Sequence, residues 1–362
     1  MDIEQITIER ANKRLERWLN KIEYDWGWRE TEGGWRSYRD IDKQIAEKFN
    51  LSAQEIKDVL NKAMGFVRQG AHIETTNYNG KTLLIFAAEY DLPEIVKELL
   101  ERDANRNHQD LKRQTAMDYA ISKLNPECVR HILTHPPTIT KAQMQERTKW
   151  LWEMLYVDPL FAKRLEITEL LAANCADMES LHEYTGKHKK TMLLLATERA
   201  DHDMVLTLGF LGADITATTS SGKTAADINQ TQLENNSDSF KKTKIECTKI
   251  ALELLPHMIK NLDDPQIARN ALEAKRVEYR LRGMQNLASK KVSEYLTQLD
   301  KRFFAKENNE MTWTPYAQSL FKSRKRALTF KRRRIESEAQ AAKTEDIKTY
   351  ITPDYLGALS PL

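Results

Sequence analysis

Cys128, His131 and His135 come nearest, in type and spacing, to residues that could do chemistry. Two imidazoles one helical turn apart beside a thiol are the ingredients of a metal site, or of a nucleophile with its base. The competing reading is packing, because Cys128 falls on the inward face of a short helix, where a thiol behaves as a small hydrophobe. No phosphate-binding glycine loop, G-x-S-x-G or H-E-x-x-H occurs, and the eight histidines are scattered. The sequence therefore assigns no catalytic, cofactor-binding or metal-binding residue, and predicts a protein that is not an enzyme. A second constellation is electrostatic. Lys322, Arg324, Lys325, Arg326, Lys331, Arg332, Arg333 and Arg334 put eight positive charges into 13 residues, with no acid between Glu310 and Glu336. Such density repels itself unless an anionic partner answers it. Two basic clusters separated by Ala327 to Phe330 suit a nuclear-import receptor, or else nucleic-acid phosphate or an anionic lipid, and a solvated helix face is the third reading.

Composition narrows the setting. The chain has 362 residues, 41% of them hydrophobic, enough for two or three domains. Cys128, Cys175 and Cys247 are an odd number without paired spacing, which points to a reducing compartment. The N-terminus carries charges every few residues and no apolar run, so no signal peptide is expected, and no stretch approaches the length of a membrane span. The expected location is intracellular, in cytoplasm or nucleus. The net charge of +3 hides an asymmetry: residues 264–362 hold 20 Lys and Arg against 12 Asp and Glu.

The elements that would position any site follow a repeat. From Gly80 to Asn107 the chain reads GKTLLIFAAEYDLPEIVKELLERDANRN, and a shift of 33 residues brings Thr82 onto Thr115, Leu84 onto Met117, Ala87 onto Ala120, Pro93 onto Pro126, Val96 onto Val129 and Leu100 onto Leu133. Thr82 can cap a first helix with a narrow face of Leu84, Ala87 and Ala88, and Pro93 can open a second. Thr191, Leu193, Ala196, Val205 and Leu208 repeat the pattern, and Thr224 opens another unit 33 residues after Thr191. Gly70 and Gly212 close units where a left-handed residue is needed, whereas Asp103 and Cys175 stand at that place in other units.

This grammar resembles the ankyrin-repeat family, whose units are a turn and two antiparallel helices. The helix openings depart from the family's Thr-Pro-Leu-His, reading Thr82-Leu83-Leu84-Ile85, Thr115-Ala116-Met117-Asp118 and Thr191-Met192-Leu193-Leu194. The resemblance implies an all-α fold, an ankyrin-repeat solenoid with helical N- and C-terminal flanking segments. It also implies a non-enzymatic scaffold that holds a protein partner on its concave face. Carried over one position at a time, the family's variable surface falls on Tyr78, Asn79, Lys81, Glu89 and Tyr90 in one repeat. In the next it falls on Leu111, Lys112, Gln114, Ser122 and Lys123, and farther along on Lys187, His188, Lys190, Glu198 and Arg199. Tyrosines near one end and Lys or Arg along the strip suit a partner with an acidic surface and an apolar anchor. Degenerate repeats with flanks and a basic segment are also similar to ankyrin effectors that intracellular bacteria deliver into host cells, a route that needs no cleaved signal. The alternative is that the repeats only target a C-terminal region that binds nucleic acid or has an enzymatic activity of its own.

In chain order, residues 1–50 form a tryptophan-rich helical cap, with Trp18, Trp26, Trp28 and Trp35, or else an aromatic pocket for a peptide or base. Residues 51–262 hold five to six degenerate repeats. The first includes a helix opened by a capping box from Ser52 to Glu55. Repeats at 77–109 and 110–142 are clear, and a later one carries an insertion, with helices at 141–156 and 159–173. Residues 263–310 are a helical C-terminal module with one helix from Pro265 and another burying Val292, Tyr295, Leu296, Leu299 and Phe303. Residues 311–362 are the basic segment and tail.

Overall fold

The computed structural model describes residues 3–23, 29–31, 34–36, 53–133, 141–156, 163–174, 177–178, 190–281, 287–307 and 310–350. Trp26, Trp28, Ser52, His135, Cys175, Lys187 and His188 lie outside them, as do the side chains of Trp35 and Arg334. Among the described residues the fold is all-α apart from two short antiparallel strand pairs. The chain divides into two compact units, Met1–Pro136 and Pro137–Leu362, so the boundary falls inside the span expected for the repeats.

In the first unit, α1 (Ile3–Glu23) precedes strands β1 (Arg29–Thr31) and β2 (Gly34–Arg36), then α2 (Ala53–Arg68). α1 packs on α2 through Leu15 and Leu19, both fully buried with Leu60, Ala63 and Met64. Two helix pairs follow: α3 (Leu83–Glu89) with α4 (Pro93–Glu101), and α5 (Ala116–Ser122) with α6 (Pro126–Ile132). First helix stacks on first, α3 on α5, and second on second, α4 on α6. Thr82 and Thr115 hold the extended conformation of an N-cap, and Thr115 completes a capping box with Asp118. Pro93 and Pro126 open the second helices, where the absent N–H costs nothing. The narrow apolar face expected of α3 is in fact a helix buried all round, from Leu83 to Ala88. The physical reason is its position between α2, α4 and α5, which leaves no solvent side.

In the second unit the pairs are α7 (Lys141–Tyr156) with α8 (Lys163–Ala173), α9 (Met192–Glu198) with α10 (His202–Leu211), and α11 (Ala225–Asn235) with α12 (Ser239–Lys260). α7 has the bounds read from the sequence, and α8 ends at Ala173 as expected, while the expected start at 159 lies outside the described residues. α13 (Pro265–Leu281) and α14 (Leu287–Phe303) pack on α12 and on each other. Val292, Tyr295, Leu296, Leu299 and Phe303 are all buried, as their spacing requires. Strands β3 (Phe304–Glu307) and β4 (Glu310–Trp313) then pair Phe304 with Trp313, whose rings stack at 4.9 Å. The basic segment is a helix, α15 (Pro315–Tyr350), whose first half returns across α8 and α10.

The return of α15 explains why α10 is buried on every side from Met204 to Leu211. Phe210 sits between Phe303 of α14 and Phe321 of α15, with ring centroids 5.0 and 5.9 Å away. Gly209 meets α12 so closely that a Cβ would lie 2.0 Å from Leu255 Cδ2. Arg164 of α8 and Asp201, the N-cap of α10, form a buried ion pair with Nη2 to Oδ1 at 2.8 Å. Nη1 and Oδ2 approach to 2.7 Å but lack hydrogen-bond alignment.

Left-handed backbone positions recur in phase. Gly70, Asp103 and Gly212 end units, and Asp91, Leu124 and Ala200 join the two helices of a pair; all six have positive φ. Gly80, Arg113 and Gly222 do the same in the turn before a first helix. Asp103 therefore adopts the conformation of the missing glycine at the strain cost of a Cβ, about 1–2 kcal/mol.

Candidate protein-binding surface

The turns before the first helices are built from short side-chain bonds to backbone. Asn77 Oδ1 accepts from Asn79 N at 3.1 Å and Lys81 N at 2.8 Å. One repeat on, Asp110 Oδ1 accepts from Lys112 N and Gln114 N, both at 2.9 Å. Its other oxygen accepts from the Tyr119 hydroxyl at 2.7 Å, and burial, helped by this bond, raises the Tyr119 pKa. Thr219 plays the same part for Lys223 N. The sequence reading missed Asn77, Asp110 and Thr219, although 77 and 110 are one repeat apart. Successive turns touch, since Leu111 N donates to the Asn79 carbonyl at 3.0 Å.

At the tips of these turns stand Tyr78, 48% exposed, and Leu111, 75% exposed. They occupy equivalent places one period apart. Tyr78 N donates to Asn20 Oδ1 of α1 at 2.8 Å, so the cap helix also fixes the first tip. Lys112, Ser122 and Lys123 are exposed beside them, while Asn79, Gln114 and Tyr90 are half-buried. A rigid turn carrying exposed apolar side chains loses little entropy when a partner covers it.

Four expected contact residues are engaged with each other instead. Lys81 is buried, and its ammonium lies 2.9 Å from Glu89 and 4.5 Å from the Tyr119 ring centroid. Lys190 and Glu198 repeat this pair at 2.7 Å. The reason is geometric: the turn lysine points back along its own first helix to the acid at that helix's end. Arg199 is exposed and covers the Tyr156 ring at 5.2 Å. The charged strip read from the sequence thus thins to Lys112 and Lys123 in the first unit, and the apolar tips are its stronger feature.

Of the chemical candidates, Cys128 resolves as packing, and His135 lies outside the described residues. Cys128 is fully buried, its thiol 3.9 Å from Asp91 Oδ1, and desolvation pushes its pKa up to about 12. Among the described residues no group of three or more His, Cys, Asp or Glu could hold a metal ion, and no helix is long and apolar enough to cross a membrane.

The basic segment divides between two roles. Arg324 Nη1 donates to the carbonyls of Gly209 and Phe210, at 3.2 and 2.9 Å, closing the C-terminal end of α10. Lys331 lies near Asp214 and helps lower its pKa, after the bonds from Thr216. Arg324, read from the sequence as an import or phosphate contact, is thus bonded to the fold. Lys322, Lys325, Arg326, Arg332 and Arg333 are exposed.

Residues 51–143 match the family described as ankyrin repeats, in three copies, about a quarter of the chain. The human protein named NAD-capped RNA hydrolase NUDT12 is 34% identical over 83 residues, 23% of this chain. The chain spans only 18% of that protein's length. Among solved structures, the ankyrin repeat protein EF0377 is similar at 18% identity, covering 56% of this chain and 98% of its own, with a TM-score of 0.37. The ankyrin repeat domain of Bcl-3, described as a unique member of the IkappaB protein family, is similar at 20% identity. It covers 56% of this chain and 95% of its own, with a TM-score of 0.36. Residues 51–143 thus carry ankyrin repeats.

Proposed function

We propose that this protein is a non-enzymatic scaffold whose first unit captures a protein partner on the turn tips of its repeats. The observation that carries the reading is the pair Tyr78 and Leu111: two large side chains, exposed, on successive turns that touch and are pinned by Asn77 and Asp110. A partner would seat an apolar anchor against them, with Lys112 and Lys123 at the rim favouring an acidic edge. Proximity labelling in cells, comparing the parent with a Tyr78→Ala/Leu111→Ala variant of equal expression, tests this. Partners enriched by the parent should be lost from the variant, and an unchanged set would refute the reading.

A further inference from the structure

α15 presents two opposite faces. Ala317, Leu320, Ser323 and Ala327 are buried against the rest of the second unit, and Ser319 and Ser323 both donate to Glu169 Oε1 of α8, the latter at 2.6 Å. Arg324 ties the same side to α10. At 100° per residue, Lys322, Lys325, Arg326, Arg332 and Arg333 fall within an arc of about 120°, centred opposite that anchored side. All five are exposed, and among them only Arg332 has an acidic partner among the described residues, Glu336 at 2.9 Å. The face extends over about 16 Å of helix.

We infer that this outward face of α15 is a binding surface for the phosphate backbone of duplex nucleic acid, recognised without sequence preference. This goes beyond the partner surface of the first unit and does not depend on it. A helix locked to the fold by one side holds its cations at fixed spacing, so little side-chain or backbone order must be paid when phosphates arrive. The outward residues, Lys322, Lys325, Arg326, Thr329, Arg332 and Arg333, include no aromatic ring, so a single strand finds nothing to stack on. The apolar side of α15 is already packed on α8 and α10, so insertion into an anionic bilayer has no face to use.

The test uses the full chain and a fluorescent random-sequence DNA duplex of about 20 base pairs, the length spanned by two helical turns. Four cations without an acidic partner among the described residues predict a salt slope near −3.6, so affinity should drop about 150-fold between 50 and 200 mM salt. Lys322→Gln/Lys325→Gln/Arg326→Gln/Arg333→Gln should abolish most of this dependence with an unchanged thermal midpoint, and Tyr78→Ala/Leu111→Ala should bind the duplex as the parent does. A single strand of the same sequence should bind more weakly. Absence of duplex binding at 50 mM salt, equal binding by the fourfold variant, or capture only by anionic vesicles would each overturn the inference.

Discussion

Removing the Arg324 side chain should loosen α15 and the end of α10 together. Its guanidinium gives charge-assisted bonds to two carbonyls in the last turn of α10, that of Phe210 and that of Gly209, which also accepts from Gly212 N at 3.1 Å. Desolvation at this place lowers the arginine's own pKa, the mark of a cation held partly out of water. Bonds to a charged group contribute about 1.5–3 kcal/mol when buried, and a cation at a helix C-terminus adds about 0.3–1. Because the side chain is only half-buried, water replaces part of what is lost, and about 2 kcal/mol is the expected net cost. Hydrogen exchange resolved by peptide reads this directly: amides of residues 205–212 and 317–328 in Arg324→Gln should exchange about 30-fold faster where exchange proceeds by local opening. Arg326→Gln, two residues along on the exposed face, is the control and should exchange as the parent does. Protection in Arg324→Gln within about threefold of the parent, against that expectation, would refute the structural role given to this basic residue.

Other perturbations probe the packing and its protons. Gly209→Ala should destabilise the second unit by about 1–3 kcal/mol despite alanine's better helix propensity, because the new methyl meets Leu255 in a closed interface; a raised thermal midpoint would contradict this. Ala87→Glu should cost about 3 kcal/mol or more, since Ala87 is fully buried where α3 meets its neighbours, and an unchanged midpoint would mean a wrong register. His202 keeps 25% of its side chain exposed, yet its Nδ1 is buried without a hydrogen-bond partner. Desolvation lowers its pKa below 6.5, against the opposing pull of Asp203 and Asp201 and with help from Lys244 and Arg164. The unfolded chain therefore binds this proton more readily, so stability should fall as pH drops below about 6.5. His202→Gln should flatten that slope in urea titrations between pH 7 and 5, and an identical slope would exclude His202 as its source.

Much of the repeat architecture was legible because it is periodic: Thr115, Pro126 and the buried alanines recur at fixed offsets, and local capping rules say what each does. α14 was legible for the same reason, its five buried residues spaced on one helical face. The side-chain pairings were not. Lys81 and Glu89 sit eight residues apart, a separation at which no local rule predicts contact, and only the turn's direction brings them together. The inward turn of Arg324 was likewise hidden, since α10 lies more than a hundred residues earlier. One signal was readable and missed: α10 is apolar almost throughout, which already calls for cover on every side, and α15 supplies it.

The most direct test of the central claim is the affinity of a captured protein partner for the parent and for Tyr78→Ala/Leu111→Ala, measured by titration at matched thermal stability. The account predicts at least tenfold weaker binding, about 1.4 kcal/mol, because both apolar anchors are gone while the buried turn bonds of Asn77 and Asp110 remain. Equal affinity in the two proteins would contradict it.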